Sequence, residues 1–226
     1  MNEIKKTITV RELVEFILKN GSIDNRVISA YDLMQEGIRV HSAFARKKKR
    51  EAKNLGCFYE SEVKLSYITE SEGFVLVTEG RADGIWHDIN GEVSIVEIKS
   101  TLTPLDKISG NSTLHKAQAK CYAHMFLADV AKNIELEIDS INITVIYVHI
   151  DTAESVEFSE TYTKVELEEF FNGIVEEYLV WIKTDYERKF SRDMATSIFH
   201  NLGLPVFHFI TFFDFRQPKM KILVEN

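Results

Sequence analysis

The segment from Glu92 to Ser100, EVSIVEIKS, constrains the fold more than any other part of the chain. In an extended strand side chains alternate, so Val93 and Ile95 share one face with Glu97 and Lys99, while Val96 and Ile98 occupy the other. A strand exposed on one side shows a polar face. This one shows none, and it is predicted to lie inside a sheet covered on both sides. Glu97 and Lys99 then enter a buried environment, where a carboxylate and an ammonium are costly unless they serve a purpose.

The flanking patterns supply the layers. Residues 59–69, 74–78 and 81–89 read as strands, and Asn90-Gly91 is a strong hairpin signal between the last of these and residues 92–100. Further strands are predicted over 141–150 and 156–162. Thr9 and Glu12 have capping-box spacing ahead of a short helix that reaches about Lys19 and ends at Asn20-Gly21. Helical periodicity also marks residues 29–55, stopped by Gly56, then 113–132, and then 165–190, rich in Phe, Trp and Tyr. This order predicts an α/β fold in which a central mixed β-sheet is flanked by helices. The core is expected over residues 1–190. Residues 191–226, with Gly203, Pro205, Pro218 and aromatic residues clustered over 207–215, are expected to form a C-terminal appendage.

A chain of 226 residues with 45% hydrophobic and 27% charged residues and three prolines suits one compact domain, with room for a small appendage. Its apolar runs fall short of the roughly 20 residues of a membrane helix, and its charged N-terminus does not resemble a secretory signal. A cytoplasmic location without membrane contact is expected. Cys57 and Cys121 lie in no C-x-x-C pair or zinc spacing and are expected to be buried core thiols. The net charge of −8 excludes a molecule coated in basic surface, but not a local basic patch. Such a patch is present in Arg46-Lys47-Lys48-Lys49-Arg50 with Lys53.

The chemistry concentrates in GRADGIWHDINGEVSIVEIKST, where Asp83 lies on one strand of the expected hairpin and Glu97 and Lys99 on the other. Asp83 and Glu97 would offer oxygen ligands to a hard divalent cation, Mg²⁺ or Mn²⁺. Lys99 beside it would stabilise negative charge developing on a phosphodiester or orient the attacking water. Register decides whether these groups meet. A two-residue Asn90-Gly91 loop pairs Ile89 with Glu92 and hence Asp83 with Ile98, facing away from Glu97. A bulge or longer loop between Gly84 and Gly91, shifting the register by one, is therefore predicted.

Asp83 followed by Glu97-Ile98-Lys99 resembles the D…E-x-K signature of the PD-(D/E)XK nuclease superfamily. Gly37-Ile38-Arg39-Val40-His41 is similar to the G-x-x-x-H motif of RecB-like nucleases and the related CRISPR spacer-acquisition nucleases. Gln118 and Tyr122, four apart on a helix, are similar to the Q-x-x-x-Y motif of that branch. The resemblance covers residues 37–122. It implies a restriction-endonuclease-like core, metal-dependent cleavage of DNA, and an exonucleolytic or single-strand-directed role in repair or processing. By the same resemblance His41 is a further metal ligand with Asp83 and Glu97, and Gln118 and Tyr122 border the catalytic residues, contacting DNA or positioning Lys99. The basic run lies within two turns of His41, where it would meet the DNA backbone. Related nucleases with an iron–sulfur cluster use four cysteines, so no cluster is expected here.

Trp181, Arg188, Arg192, Leu204-Pro205 and Phe215-Arg216-Gln217 resemble the junction between nuclease domain and helicase core in bacterial DinG-type helicases. This implies a helicase encoded in cis or nearby as a partner. The chain departs from that pattern, with Arg216-Gln217-Pro218 where the family has an Arg-x-x-Gln element, and carries no G-x-x-x-x-G-K-[ST], so nucleotide binding by this chain is not expected.

Each residue also has a plainer reading: a turn aspartate for Asp83, an exposed ion pair for Glu97 and Lys99, a core or surface histidine for His41, and a polar edge and a core ring for Gln118 and Tyr122. Glu60, Glu62 and Lys64 alternate as a solvated strand face, and Glu62 is left out of the site on that ground. The competing functional expectation is a noncatalytic DNA-binding or regulatory module of a DinG-type helicase, which has no need of a buried Asp83, Glu97 and Lys99. A relic fragment without function is favoured only by the character of the C-terminus.

Overall fold

In a computed structural model the structure describes residues 3–18, 30–110, 112–133 and 138–201. The elements run β1 (Ile4–Thr9), α1 (Val10–Leu18), α2 (Ala30–Leu55), β2 (Phe58–Ser71), β3 (Phe74–His87), β4 (Val93–Thr101), α3 (Thr113–Asn133), β5 (Ser140–His149), β6 (Ser155–Thr163) and α4 (Lys164–Asn201), with one 3₁₀ turn at Leu105–Lys107. They build the expected α/β fold, a mixed six-stranded sheet flanked by helices and consistent with a restriction-endonuclease-like core. The strands follow the order β1-β3-β4-β5-β6, with β2 on the other edge of β3.

Strand β4 sits inside this sheet, antiparallel to β3 and parallel to β5, and Val93, Ile95, Val96, Glu97 and Ile98 are all buried. Val96 and Ile98 pack with Ile146 and Val148 of β5 against Phe44 and Ala52 of α2. The opposite face is covered by α3, and the first half of α4 lies near it, its Phe171 stacked on His124 of α3 and set edge-on against Tyr67 of β2. The capping box at the start of α1 forms as expected: Thr9 donates its backbone N–H to the Glu12 carboxylate at 3.0 Å, and its hydroxyl accepts the Glu12 N–H at 3.2 Å.

Several expectations are corrected. β1 was not foreseen; it pairs in parallel with β3 from Ile4 opposite Phe74 to Thr9 opposite Glu79, a nonlocal match to which the weak Ile4…Ile8 pattern gives little local signal. The strands expected at 74–78 and 81–89 are one continuous β3. Gly80 and Gly84 are not breaks but places where rings lie against the backbone. A Cβ on Gly80 would come within 2.8 Å of the Tyr122 ring, and one on Gly84 within 2.0 Å of the Tyr59 hydroxyl. Helix α4 continues past Phe190 to Asn201, since no glycine or proline stands between Phe190 and Gly203. Cys121 is buried, but Cys57 is only half-buried at the end of α2.

The chain divides into two compact units, Met1–Leu179 and Val180–Asn226. The second is described as far as residue 201 and contains the Lys189–Asp185 ion pair at 2.7 Å. The helix stop at Asn20-Gly21, the glycine and prolines of residues 203–218, the aromatic cluster over 207–215 and Phe215-Arg216-Gln217 lie outside the described residues. Among the described residues no helix is long and apolar enough to cross a membrane.

Candidate functional site

The sheet forks along β3. One edge of this strand is held by β2 along its length except at Asp83, opposite which Glu62 is unpaired. The other pairs with β1 over Phe74–Glu79 and with β4 over Gly84–His87, so Gly80 to Asp83 lie between two strand partners with neither opposite them. The β4 register follows from the turn. Asp88 donates its N–H to the Glu92 carbonyl at 2.9 Å, and its carboxylate accepts the N–H groups of Asn90 at 2.8 Å and Glu92 at 2.7 Å. Gly91 has φ +86°, which closes a loop of Ile89, Asn90 and Gly91 rather than of Asn90-Gly91 alone. The predicted shift by one is thereby realised: Gly84 faces Val96, and Asp83 comes level with Glu97 instead of Ile98.

At the fork the Asp83 side chain takes over the work of a strand. Its Oδ2 accepts the Ile98 N–H at 2.7 Å, a backbone donor that has no strand carbonyl opposite it. Oδ1 lies 3.4 Å from Nδ1 of His41, which α2 brings in. Glu97 is 5% exposed, and its Oε1 stands 2.6 Å from the Lys99 ammonium. Lys99 also donates to Oε1 of buried Gln118 at 2.7 Å, so its ammonium is clamped between β4 and α3. Tyr122, one helical turn after Gln118, rests its ring over Gly80. His41, Asp83, Glu97, Lys99, Gln118 and Tyr122 all line one cavity of about 810 Å³.

Burial sets the electrostatics. It pushes the Glu97 carboxyl up to about 7, against the pull of Lys99, with the nearby Asp83 charge adding to the rise. Burial works against the His41 imidazolium, but the hydrogen bond and charge of Asp83, with Glu97 behind it, outweigh burial and hold the group above its ordinary value. The Tyr122 phenol is driven well up by burial and then by Glu97, so it remains a neutral hydroxyl.

No protein-family model and no curated protein matches the chain. Solved structures that match include that of SSO0001, at 20% identity and TM-score 0.43, covering 75% of this chain and 75% of that one. Another is LHK-Exo in complex with dAMP, at 17% identity and TM-score 0.46, covering 81% of this chain and 93% of that one.

Sequence reasoning set Glu62 aside, yet it lines the cavity. Its φ of +61° is left-handed, it drops out of the β2–β3 ladder where it would face Asp83, and its carboxylate holds Nε of Arg81 at 2.7 Å. A non-glycine residue in that conformation stores strain of roughly 1 kcal/mol or more. Alternation alone gives no sign of it. Arg11 of α1 and Arg46 and Lys49 of α2 add cations to the rim.

Asp83 and Glu97 present carboxylate oxygens to one cavity, the donor type that a hard divalent cation takes. Mg²⁺ is commonly held by one or two carboxylates and keeps several waters, which an open cavity of this size admits. Among the described residues no group of three His, Cys, Asp or Glu side chains forms a cage on its own, so the fit rests on carboxylates completed by water.

Proposed function

We propose that the chain is a metal-dependent deoxyribonuclease of the PD-(D/E)XK type, in its RecB-like branch, that hydrolyses phosphodiester bonds with Mg²⁺ or Mn²⁺. The observation that carries this reading is the convergence at the sheet fork of Asp83, Glu97 and a Lys99 ammonium clamped by Gln118. Asp83 and Glu97 would hold the cation with water completing its shell, and His41, whose Nδ1 faces Asp83 Oδ1 at 3.4 Å, would join them as a further ligand only by turning from that carboxylate to the ion. When bound, the ion supplies Lewis-acid polarisation of the phosphate and a lowered pKa for the attacking water.

The chain's own groups complete the chemistry. Glu97 and Gln118 hold the Lys99 ammonium in place, so its charge meets the developing oxyanion without reorganising. The Ile98 N–H fixes Asp83 with one oxygen bound to the backbone and the other turned toward His41. Gln118 and Tyr122 close the α3 side, where the neutral Tyr122 hydroxyl offers a hydrogen bond to a phosphate or base. An exonucleolytic or single-strand-directed role in repair or processing, beside a DinG-type helicase, belongs to the same reading.

A second reading has its own observation. The cations Arg11, Arg46 and Lys49 on the cavity, which binding of a polyanion uses without any hydrolysis, favour a noncatalytic DNA-binding or regulatory module of such a helicase. Labelled single- and double-stranded DNA incubated with Mg²⁺ or Mn²⁺ separates the two. Cleavage by the natural protein, lost in both Asp83→Ala and Lys99→Ala, supports the nuclease. Binding without cleavage under every metal supports the module.

A further inference from the structure

The basic run of α2 is divided by the fold. Lys48 turns inward: its side chain is 11% exposed, and its ammonium lies 2.9 Å from Glu157 and 3.4 Å from Glu51. Arg46, Lys47, Lys49 and Arg50 make no ion pair with any carboxylate among the described residues. In a chain of net charge −8 these are unusual places to leave positive charge uncompensated.

Those cations flank two cavities rather than one. Lys49 and Arg46 line the 810 Å³ cavity of the sheet fork. On the opposite flank of α2 a second cavity of about 520 Å³ runs against the end of β5, walled by Val148 and His149 and by Arg39, Lys47 and Arg50 of the helix. Arg46 lines both and forms the crest between them. Arg39 is tied to Glu36, which leaves Arg46, Lys47 and Arg50 as the available charges on that side.

We infer that the second cavity is a backbone track for single-stranded nucleic acid, which crosses α2 at Arg46 between this groove and the sheet-fork cavity. The inference takes its ligand from the nuclease reading and adds a route to it. Uncompensated cations in line are what a polyanion recruits, because each phosphate neutralised releases counterions. The single strand follows from the geometry. A chain occupying both cavities must turn across one helix, roughly 10–12 Å wide. A flexible single strand makes that turn; a duplex with a persistence length of about 150 base pairs does not.

The test compares the natural protein with Lys47→Gln/Arg50→Gln, neither residue lining the sheet-fork cavity, with matched melting curves as the control for folding. Fluorescence anisotropy in EDTA measures binding to a tetranucleotide and a 16-mer, chosen to span single-strand site sizes of about 4–16 nucleotides. On the 16-mer the slope of log K against log salt is expected to fall by roughly 1.4, from two phosphates at about 0.7 each. On the tetranucleotide it is expected to stay unchanged. An unaltered slope on the 16-mer overturns the track, as does an equal loss on a 16-base-pair duplex. Metal-dependent cleavage by the natural protein together with an unaltered slope removes the track and leaves the nuclease. The expected slope change without cleavage under any metal keeps the track and removes the nuclease. No binding of either oligonucleotide removes the track.

Discussion

The carboxylate of Asp83 accepts the backbone N–H of Ile98 at 2.7 Å, so the side chain that faces the cavity also closes the sheet where β3 and β4 part. Asp83 thus has a structural duty and a proposed chemical one, and substitutions separate them. Asp83→Ala leaves the Ile98 N–H without its partner and is expected to destabilise the fold by about 1–3 kcal/mol. Asp83→Asn keeps an acceptor oxygen and is expected to retain most of that stability while losing metal-dependent cleavage. Urea denaturation beside the cleavage assay checks both. Equal stability losses in the two variants would dismiss the structural duty.

Glu97 predicts a pH signature in the metal-free protein. Its folded pKa of about 7 lies above the ordinary 4.5, so its contribution to stability is fully present below about 4.5 and is lost as pH rises toward 7. The sign is opposite to that of a carboxylate stabilised as an anion. Glu97→Gln, uncharged throughout, is expected to gain stability relative to the natural protein across that window. Denaturation midpoints at several pH values in EDTA measure the difference, and parallel profiles would rule this out.

Glu62 is held at φ +61°, where glycine has no steric penalty. Glu62→Gly gives up only an exposed ion pair with Arg81, worth at most about 1 kcal/mol. It is therefore expected to be neutral or to raise the melting temperature. Glu60→Gly, at a position paired with Ile85, is expected to lose roughly 0.5–1 kcal/mol. Thermal melts of the two variants decide whether the strain is real.

Gly84 lies under the Tyr59 ring, and a Cβ there would stand 2.0 Å from its hydroxyl. Gly84→Ala is expected to cost about 1–3 kcal/mol by overpacking. The buried hydroxyl, which reaches the Asp83 carbonyl at 3.5 Å, must then move. A melting temperature within a degree of the natural protein's would show that Tyr59 has room to yield.

Sequence alone determined what short-range chemistry decides. The two apolar faces of β4, the Thr9–Glu12 capping box and the need for a one-residue register shift depend on alternation, spacing and turn chemistry within a few residues. The tertiary structure alone decided what distant segments do to one another: a parallel β1, an unbroken β3 whose glycines make room for Tyr59 and Tyr122, and the fork that admits His41 to Asp83. Glu62 belongs with these, since its left-handed backbone faces Asp83, the β3 residue that the β2–β3 ladder leaves unpaired. Alternation reports which face a side chain occupies, but the place where a strand runs out of partners depends on hydrogen-bonding neighbours many residues away.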